Sequence, residues 1–266
     1  MAPDTRELES ITVERSDGVV TITLRRPHKK NAADAAMWNE LLDEFRTIAG
    51  NSNDRAVVIT GAGGNFCSGA DLWQGGSGDG PPPHQLSAMR HIADVCLALH
   101  RIPQPTVAKV RGVAVGAGLN LALSCDLIVA SENARFSEIF AKRGLSLDFG
   151  GSWLLPRLVG MHRAKELALL AEIIDAERAA HMGLVNRVLP DDELDAFVDD
   201  WAARLAGGPP IALAMSKRLL NNSMHVTLEE ALDDEGLSQT VNFGTEDTIE
   251  AIKAFMEKRD PVFEGR

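Results

Sequence analysis

The sequence predicts an α/β fold, with a parallel sheet at its centre and a helical C-terminal region. Three observations carry the prediction. Short β-rich runs alternate with amphipathic stretches through the first half of the chain, and that alternation implies parallel strands with helices outside them. Beyond Ala164 the apolar residues recur almost without a break at three-to-four spacing. Finally, 266 residues, 45% of them hydrophobic and 24% charged, are enough for one large core with an appendage.

Taken in order, Ile11 to Glu14 and Val19 to Leu24 are β-rich runs joined through Ser16-Asp17-Gly18, a hairpin turn. A helix starts near Asp34 and runs to about Ala49, with Met37, Leu41, Leu42, Phe45 and Ile48 on one face. Ala56 to Thr60 is a strand that ends in Gly61-Ala62-Gly63-Gly64. Gln85 to Leu99 is helical, Thr106 to Val110 is the next strand, and Asp126 to Ala130 repeats it after a Gly116 to Ser124 helix. Further helices cover Arg163 to Ala171, Ala176 to Met182, Leu194 to Leu205, Ile211 to Asn221, Leu228 to Asn242 and Thr245 to Lys258. The boundary falls near Pro190: residues 1–190 form a catalytic core, and 191–266 an oligomerisation region whose apolar faces call for another subunit. Gln74 to Pro83 reads as a mobile loop, either a lid or a plain surface loop.

A net charge of -11 argues against nucleic acid or an anionic membrane as a partner. Cys67, Cys96 and Cys125 lie in apolar or glycine-rich surroundings and read as reduced thiols of a cytoplasmic protein. No cluster has metal-ligand spacing. Met1 to Ser10 is too acidic for a targeting signal, and the longest apolar run, Val113 to Val129, is broken by Asn120 and Asp126. A soluble protein is expected.

Two motifs carry chemistry. Gly116-Ala117-Gly118 opens an apolar helix, and a helix start presents unpaired backbone N–H groups. Ser68-Gly69-Ala70-Asp71 offers another exposed N–H at the end of a strand-derived loop. Two such donors converging on one oxygen form an oxyanion hole, each contributing about 3–4 kcal/mol to a transition state. Either motif alone would be read as a tight turn.

Together with Leu24-Arg25-Arg26-Pro27 and Asn31-Ala32, Phe66 to Leu72, Gly112 to Asp126, Gly150 to Leu158, and Ala254 to Arg259 with Pro261, these motifs form an ordered set. The set resembles the crotonase (enoyl-CoA hydratase/isomerase) superfamily over most of the chain. The resemblance implies a spiral of ββα turns, a C-terminal trimerisation region and an acyl-CoA thioester as substrate. A homotrimer is implied, with pairing of trimers left open. Coenzyme A would arrive as part of the substrate, so no separate cofactor is expected. The oxyanion donors would be the N–H groups of Ala70 and Ala117, flanked by Ser68, Asp71, Leu72 and Gly116. The basic stretch His28, Lys29, Lys30 would meet the nucleotide phosphates, joined by Lys258 from a neighbouring subunit. Trp73 stands where relatives often hold a lysine, and its indole would stack on the base instead.

The resemblance also bears on the reaction. Water-adding members carry glutamates at the positions of Asn120 and Phe140, and neither replacement exchanges a proton. A positioned acid–base group contributes about 10²–10⁴ in rate, so isomerisation ranks above hydration. Dienoyl-CoA isomerases and epoxyphenylacetyl-CoA isomerases carry an aspartate in the loop that holds Asp148, which makes it the candidate base. Its simpler role would be to cap the helix beginning near Gly150. Glu138 reads first as a surface charge or ion-pair partner, and only second as a displaced acid. His84, His91 and His100 read as solvated helical side chains, and Ser68 has no base near it in sequence. An atypical hydratase and a non-catalytic acyl-CoA binder remain the alternatives.

Overall fold

A computed structural model describes residues 4–72 and 84–266. The hairpin comes first. Strands β1 (Asp4–Glu7), β2 (Ile11–Ser16) and β3 (Val19–Leu24) pair antiparallel, with Asp17 and Gly18 at positive φ in the tight turn between β2 and β3. Helix α1 (Ala35–Ala49) follows, and Asp34 caps it by accepting from the Met37 N–H at 2.8 Å. Its five predicted apolar residues are all buried.

Beyond α1 the chain repeats one manoeuvre. A strand joins the large sheet, a short segment joins a second layer, and a helix returns. In the large sheet β4 (Ala56–Gly61), β5 (Thr106–Val110), β7 (Leu127–Ser131) and β10 (Arg187–Leu189) continue from β3 in parallel, in the order β1-β2-β3-β4-β5-β7-β10. The second layer holds β6 (Val113–Val115), β8 (Arg135–Ser137) and β9 (Ile174–Asp175), with β6 and β8 parallel. A parallel bridge from Cys67 to Ala114 extends this layer back to the β4 turn. Helices α2 (Gln85–Arg101), α3 (Ala117–Leu123) and α4 (Gly151–Val159) close the successive turns. The result is a spiral of strand–strand–helix units, each turn displaced by about one strand spacing, ~4.8 Å.

Alternation along β4 explains why the sheet is covered on both sides. Val57 and Ile59 enter the main core with α1, while Val58 faces a second cluster with Val107, Val129, Leu194, Val198 and Ala202. The last three belong to α7 (Leu194–Ala206), so the helical region expected from residue 191 onward begins with a helix that roofs the sheet. Helices α5 (Met161–Leu170) and α6 (Ala176–Met182) lie between α4 and β10 in sequence.

The remaining helices, α8 (Pro210–Asn222), α9 (Leu228–Phe243) and α10 (Glu246–Glu257), are barely buried. Ser238 is the one buried residue of α9, while Phe243 and Phe255 are 72% and 84% exposed. One polar link fastens α8 to the core. Lys217 Nζ lies 2.8 Å from Asp126 Oδ2 and donates to the Gln104 carbonyl at 2.9 Å. Asp126 in turn accepts from the N–H and hydroxyl of Thr106. Among the described residues no helix is long and apolar enough to cross a membrane.

Lys217→Met is expected to lower the unfolding free energy by about 2 kcal/mol, the scale of a charge-assisted hydrogen bond in a half-buried setting. Urea denaturation at fixed protein concentration measures it. An unchanged midpoint would mean that apolar contacts alone hold α8.

Candidate active site

The site forms where two turns of the spiral touch. The Cys67 N–H donates to Val113 O at 2.9 Å and the Val115 N–H to Cys67 O at 3.0 Å. Two residues further along, Gly69 passes so close that a Cβ on it would sit 2.9 Å from the Val115 carbonyl oxygen, and its φ is +99°. On the other side the Ala33 N–H donates to Gly69 O and the Asp71 N–H to Ala33 O, both at 2.8 Å. Alternation in this parallel pairing turns the intervening Ala70 N–H away from Ala33. Gly116 adopts φ 56° and ψ −128°, which only glycine takes readily, and so opens α3 with the Ala117 N–H leading. Among the described residues the N–H groups of Ala70 and Ala117 have no hydrogen-bond acceptor, and both residues border the same cavity.

A buried polar knot fixes the first of these loops. Arg26 reaches Asp71 at 2.9 Å and Asp34 at 3.0 Å, and also donates to the Ala32 carbonyl. Lys29 Nζ adds a second cation to Asp71 at 2.7 Å. The Asn31 side chain, wholly buried, donates to Ala62 O and Asn65 O and accepts from the Arg26 N–H. The Ser68 N–H and hydroxyl bond to the carbonyls of Lys30 and Lys29. Thus the basic stretch braces the loop, and the Lys29 ammonium pairs with Asp71.

The cavity measures about 660 Å³. Val115, Ile139, Phe140 and Leu145 make its walls apolar, and Asp148 and Arg143 bring charge to it. Phe140 lies against Gly116, in a 3-10 turn over Ile139–Arg143. Asp148 does not cap α4. Gly150 occupies the N-cap with no side-chain bond, and Asp148 Oδ1 is buried without a partner. Burial pushes the Asp148 carboxyl up to about 6. The next residue, Phe149, is buried at φ 44° against the Trp38 ring, 5.3 Å away. The strain of that φ is about 1 kcal/mol, less than the roughly 2–3 kcal/mol from burying the ring, so Phe149 anchors the Asp148 loop to α1.

Behind the wall the structure departs from expectation. Glu138 is 0% exposed, not a surface charge, because the chain turns into the 3-10 helix at Ile139 and carries Glu138 inward. Burial first, then the negative charge of Asp148, push its carboxyl up to about 8. Asn120 is also fully buried and lies behind the cavity. Its amide nitrogen donates to Asp148 O at 3.0 Å and to Glu138 Oε2 at 3.4 Å.

Of the predicted residues, Ser68, Ala70, Asp71, Leu72, Gly116, Ala117, Phe140 and Asp148 border this cavity. His28, Lys29, Lys30, Asn120 and Lys258 do not. Trp73 and the Gln74 to Pro83 loop lie outside the described residues. The histidines are not uniformly solvated: His84 caps α2, and half-buried His100 packs edge-on to Trp153. Arg143 was missed, since a basic residue before a glycine looks like ordinary surface.

The raised Asp148 value has a consequence for stability. An unfolded aspartate ionises at about pH 4, and the folded one at about 6, so the folded state holds the proton more tightly. Stability is then lost as pH rises from about 4 to about 6. Asp148→Asn is expected to raise the urea midpoint at about pH 7.5 and leave it unchanged at about pH 4. Equal effects at both would contradict the burial argument.

A family profile described as enoyl-CoA hydratase/isomerase matches residues 14–266. A protein of Rhodobacter capsulatus named "Probable enoyl-CoA hydratase" is 40% identical, over 97% of this chain and 98% of the relative. The 1,2-epoxyphenylacetyl-CoA isomerase of Escherichia coli is 35% identical, over 97% of this chain and 100% of its own. Among solved structures, an enoyl-CoA hydratase from Bacillus anthracis superposes with a TM-score of 0.91 at 32% identity, covering 97% of this chain and 100% of that one. The chain belongs to the enoyl-CoA hydratase/isomerase family, and its strand–strand–helix spiral is the crotonase fold.

Proposed function

We propose that this member of the enoyl-CoA hydratase/isomerase family moves a double bond within an acyl-CoA thioester, using Asp148 as its single base. The observation that carries the reading is the Asp148 carboxylate at an apolar cavity beside two backbone N–H donors, with one oxygen buried and unpartnered. Asp71 borders the cavity too, but Arg26 and Lys29 engage its carboxylate.

With a 3-enoyl thioester, Asp148 removes a proton from C2. The electron pair moves onto the thioester oxygen, giving a dienolate held by the Ala70 and Ala117 N–H groups. The protonated Asp148 then gives its proton to C4, and the double bond lies between C2 and C3. One base suffices. A value of about 6 suits this shuttle, because the group is ionised at neutral pH and still basic enough to take a carbon-bound proton.

Hydration is the second reading, favoured by the presence of a second carboxyl, Glu138. That reading needs an acid in contact with the attacking water. Glu138 has no exposed surface and does not border the cavity, while Phe140 occupies that wall. The comparisons include relatives named for both activities, so the preference rests on this acid inventory. The exposed apolar faces of α9 and α10 support the expected homotrimer, in which Lys258 would meet a thioester bound by a neighbour.

NMR of 3-enoyl-CoA and 2-enoyl-CoA incubated with the enzyme is expected to show migration of the double bond. Asp148→Asn should reduce that rate by about 10²–10⁴. Accumulation of 3-hydroxyacyl-CoA, or an undiminished rate in the variant, would refute the assignment.

A further inference from the structure

Proton transfer at Asp148 leaves Glu138 unexplained. A carboxyl with no accessible surface and no cation beside it is rare, since burial of an unpaired charge is costly. Among the described residues its one hydrogen-bond partner is the Asn120 amide nitrogen, 3.4 Å from Oε2. Oε1 has no partner, and neither has the buried Oδ1 of Asn120. Two oxygens on the same pair of side chains are therefore orphaned, and an ionised carboxylate offers neither of them a donor. A protonated Glu138 does. From Oε1 it would donate to Asn120 Oδ1 while Oε2 accepts from Asn120 Nδ2, which would close a two-bond acid–amide ring. The same Asn120 amide donates to the Asp148 carbonyl at 3.0 Å.

We infer that Glu138 is a positioning residue: in its protonated form it locks Asn120, and Asn120 holds the Asp148 loop in place for proton transfer. The inference rests on Asp148 being the base. Loss of the Glu138 proton removes the ring's second bond and brings another negative charge towards a developing enolate. Both effects slow the reaction.

Other titrating groups nearby are few. Cys96 of α2 feels the Asp148 charge, and its thiol is raised chiefly by burial. Arg143 shares the cavity. On α5, packed against the Ile139–Arg143 turn, Glu166 pairs with Arg178 and Arg163 donates to the Met182 carbonyl. On α4 Arg157 lies over the Trp153 ring, and α3 and β6 carry no charged residue.

The test is kcat/KM for 3-enoyl-CoA against pH, in the wild type and in Glu138→Gln, Glu138→Met, Cys96→Ser and Asp148→Asn. The wild type is expected to rise through about pH 6 and fall through about pH 8, the values that burial sets for the two carboxyls. Glu138→Gln keeps both bonds of the ring and cannot ionise. It should retain the neutral-pH rate and lose the alkaline fall, as Cys96→Ser should not. Glu138→Met should lose on the order of 10² in kcat at every pH, with KM little changed. A wild type without an alkaline fall, a Glu138→Gln profile that keeps it, or its loss in Cys96→Ser would overturn the inference. An active Asp148→Asn would instead sink the underlying assignment of the base.

Discussion

The site depends on one constraint, the parallel contact between two successive turns of the spiral. The Cys67–Ala114 bridge aligns the loop after β4 with the loop after β6. Everything beyond the bridge inherits that alignment. Gly69 clears the Val115 carbonyl only because it has no side chain, and Gly116 turns the chain where other residues would be strained. As a result two N–H groups distant in sequence border one cavity. No side chain contributes to that pair of donors, so it is preorganised by the backbone and needs no reorganisation during a reaction.

The acids follow a different logic. Backbone hydrogen bonds fix the donors, whereas desolvation sets the acids. Phe140, Phe149 and the surrounding apolar wall withdraw Asp148 partly from water, and Glu138 wholly. Burial raises both, but to different degrees, and so gives two carboxyls of one kind different protonation at neutral pH. The cost is stability, which a neutral amide at either position would recover. A fold that needed only rigidity would have little use for these groups, and the Arg26–Asp71 knot shows how the same chain neutralises a carboxylate held for structure.

Much of this was legible in the sequence. Helix α1 follows from its apolar spacing and the Asp34 cap, and the C-terminal helices lie within a few residues of their predicted ends. The strands β6, β8 and β9 were not legible, because two or three residues carry no period-two signal. Of the site, the meeting of the two glycine motifs and Asp148 at one cavity was readable. Glu138 was not: its inward course is set by the 3-10 turn that follows, and a lone glutamate beside an aromatic looks exposed. Lys29 shows a different limit of the sequence. A basic cluster suggests a free cation, and only the fold reveals Asp71 against it.

The central claim is that one carboxylate carries a proton from one carbon to the other. The most direct measurement is single-turnover conversion, in ordinary water, of 3-enoyl-CoA deuterated at C2, with the position of the label in the product read by mass spectrometry and NMR. A single-base shuttle predicts 2-enoyl-CoA with part of the deuterium delivered to C4. A 3-hydroxyacyl-CoA product, heavier by one water and with no label at C4, would contradict it.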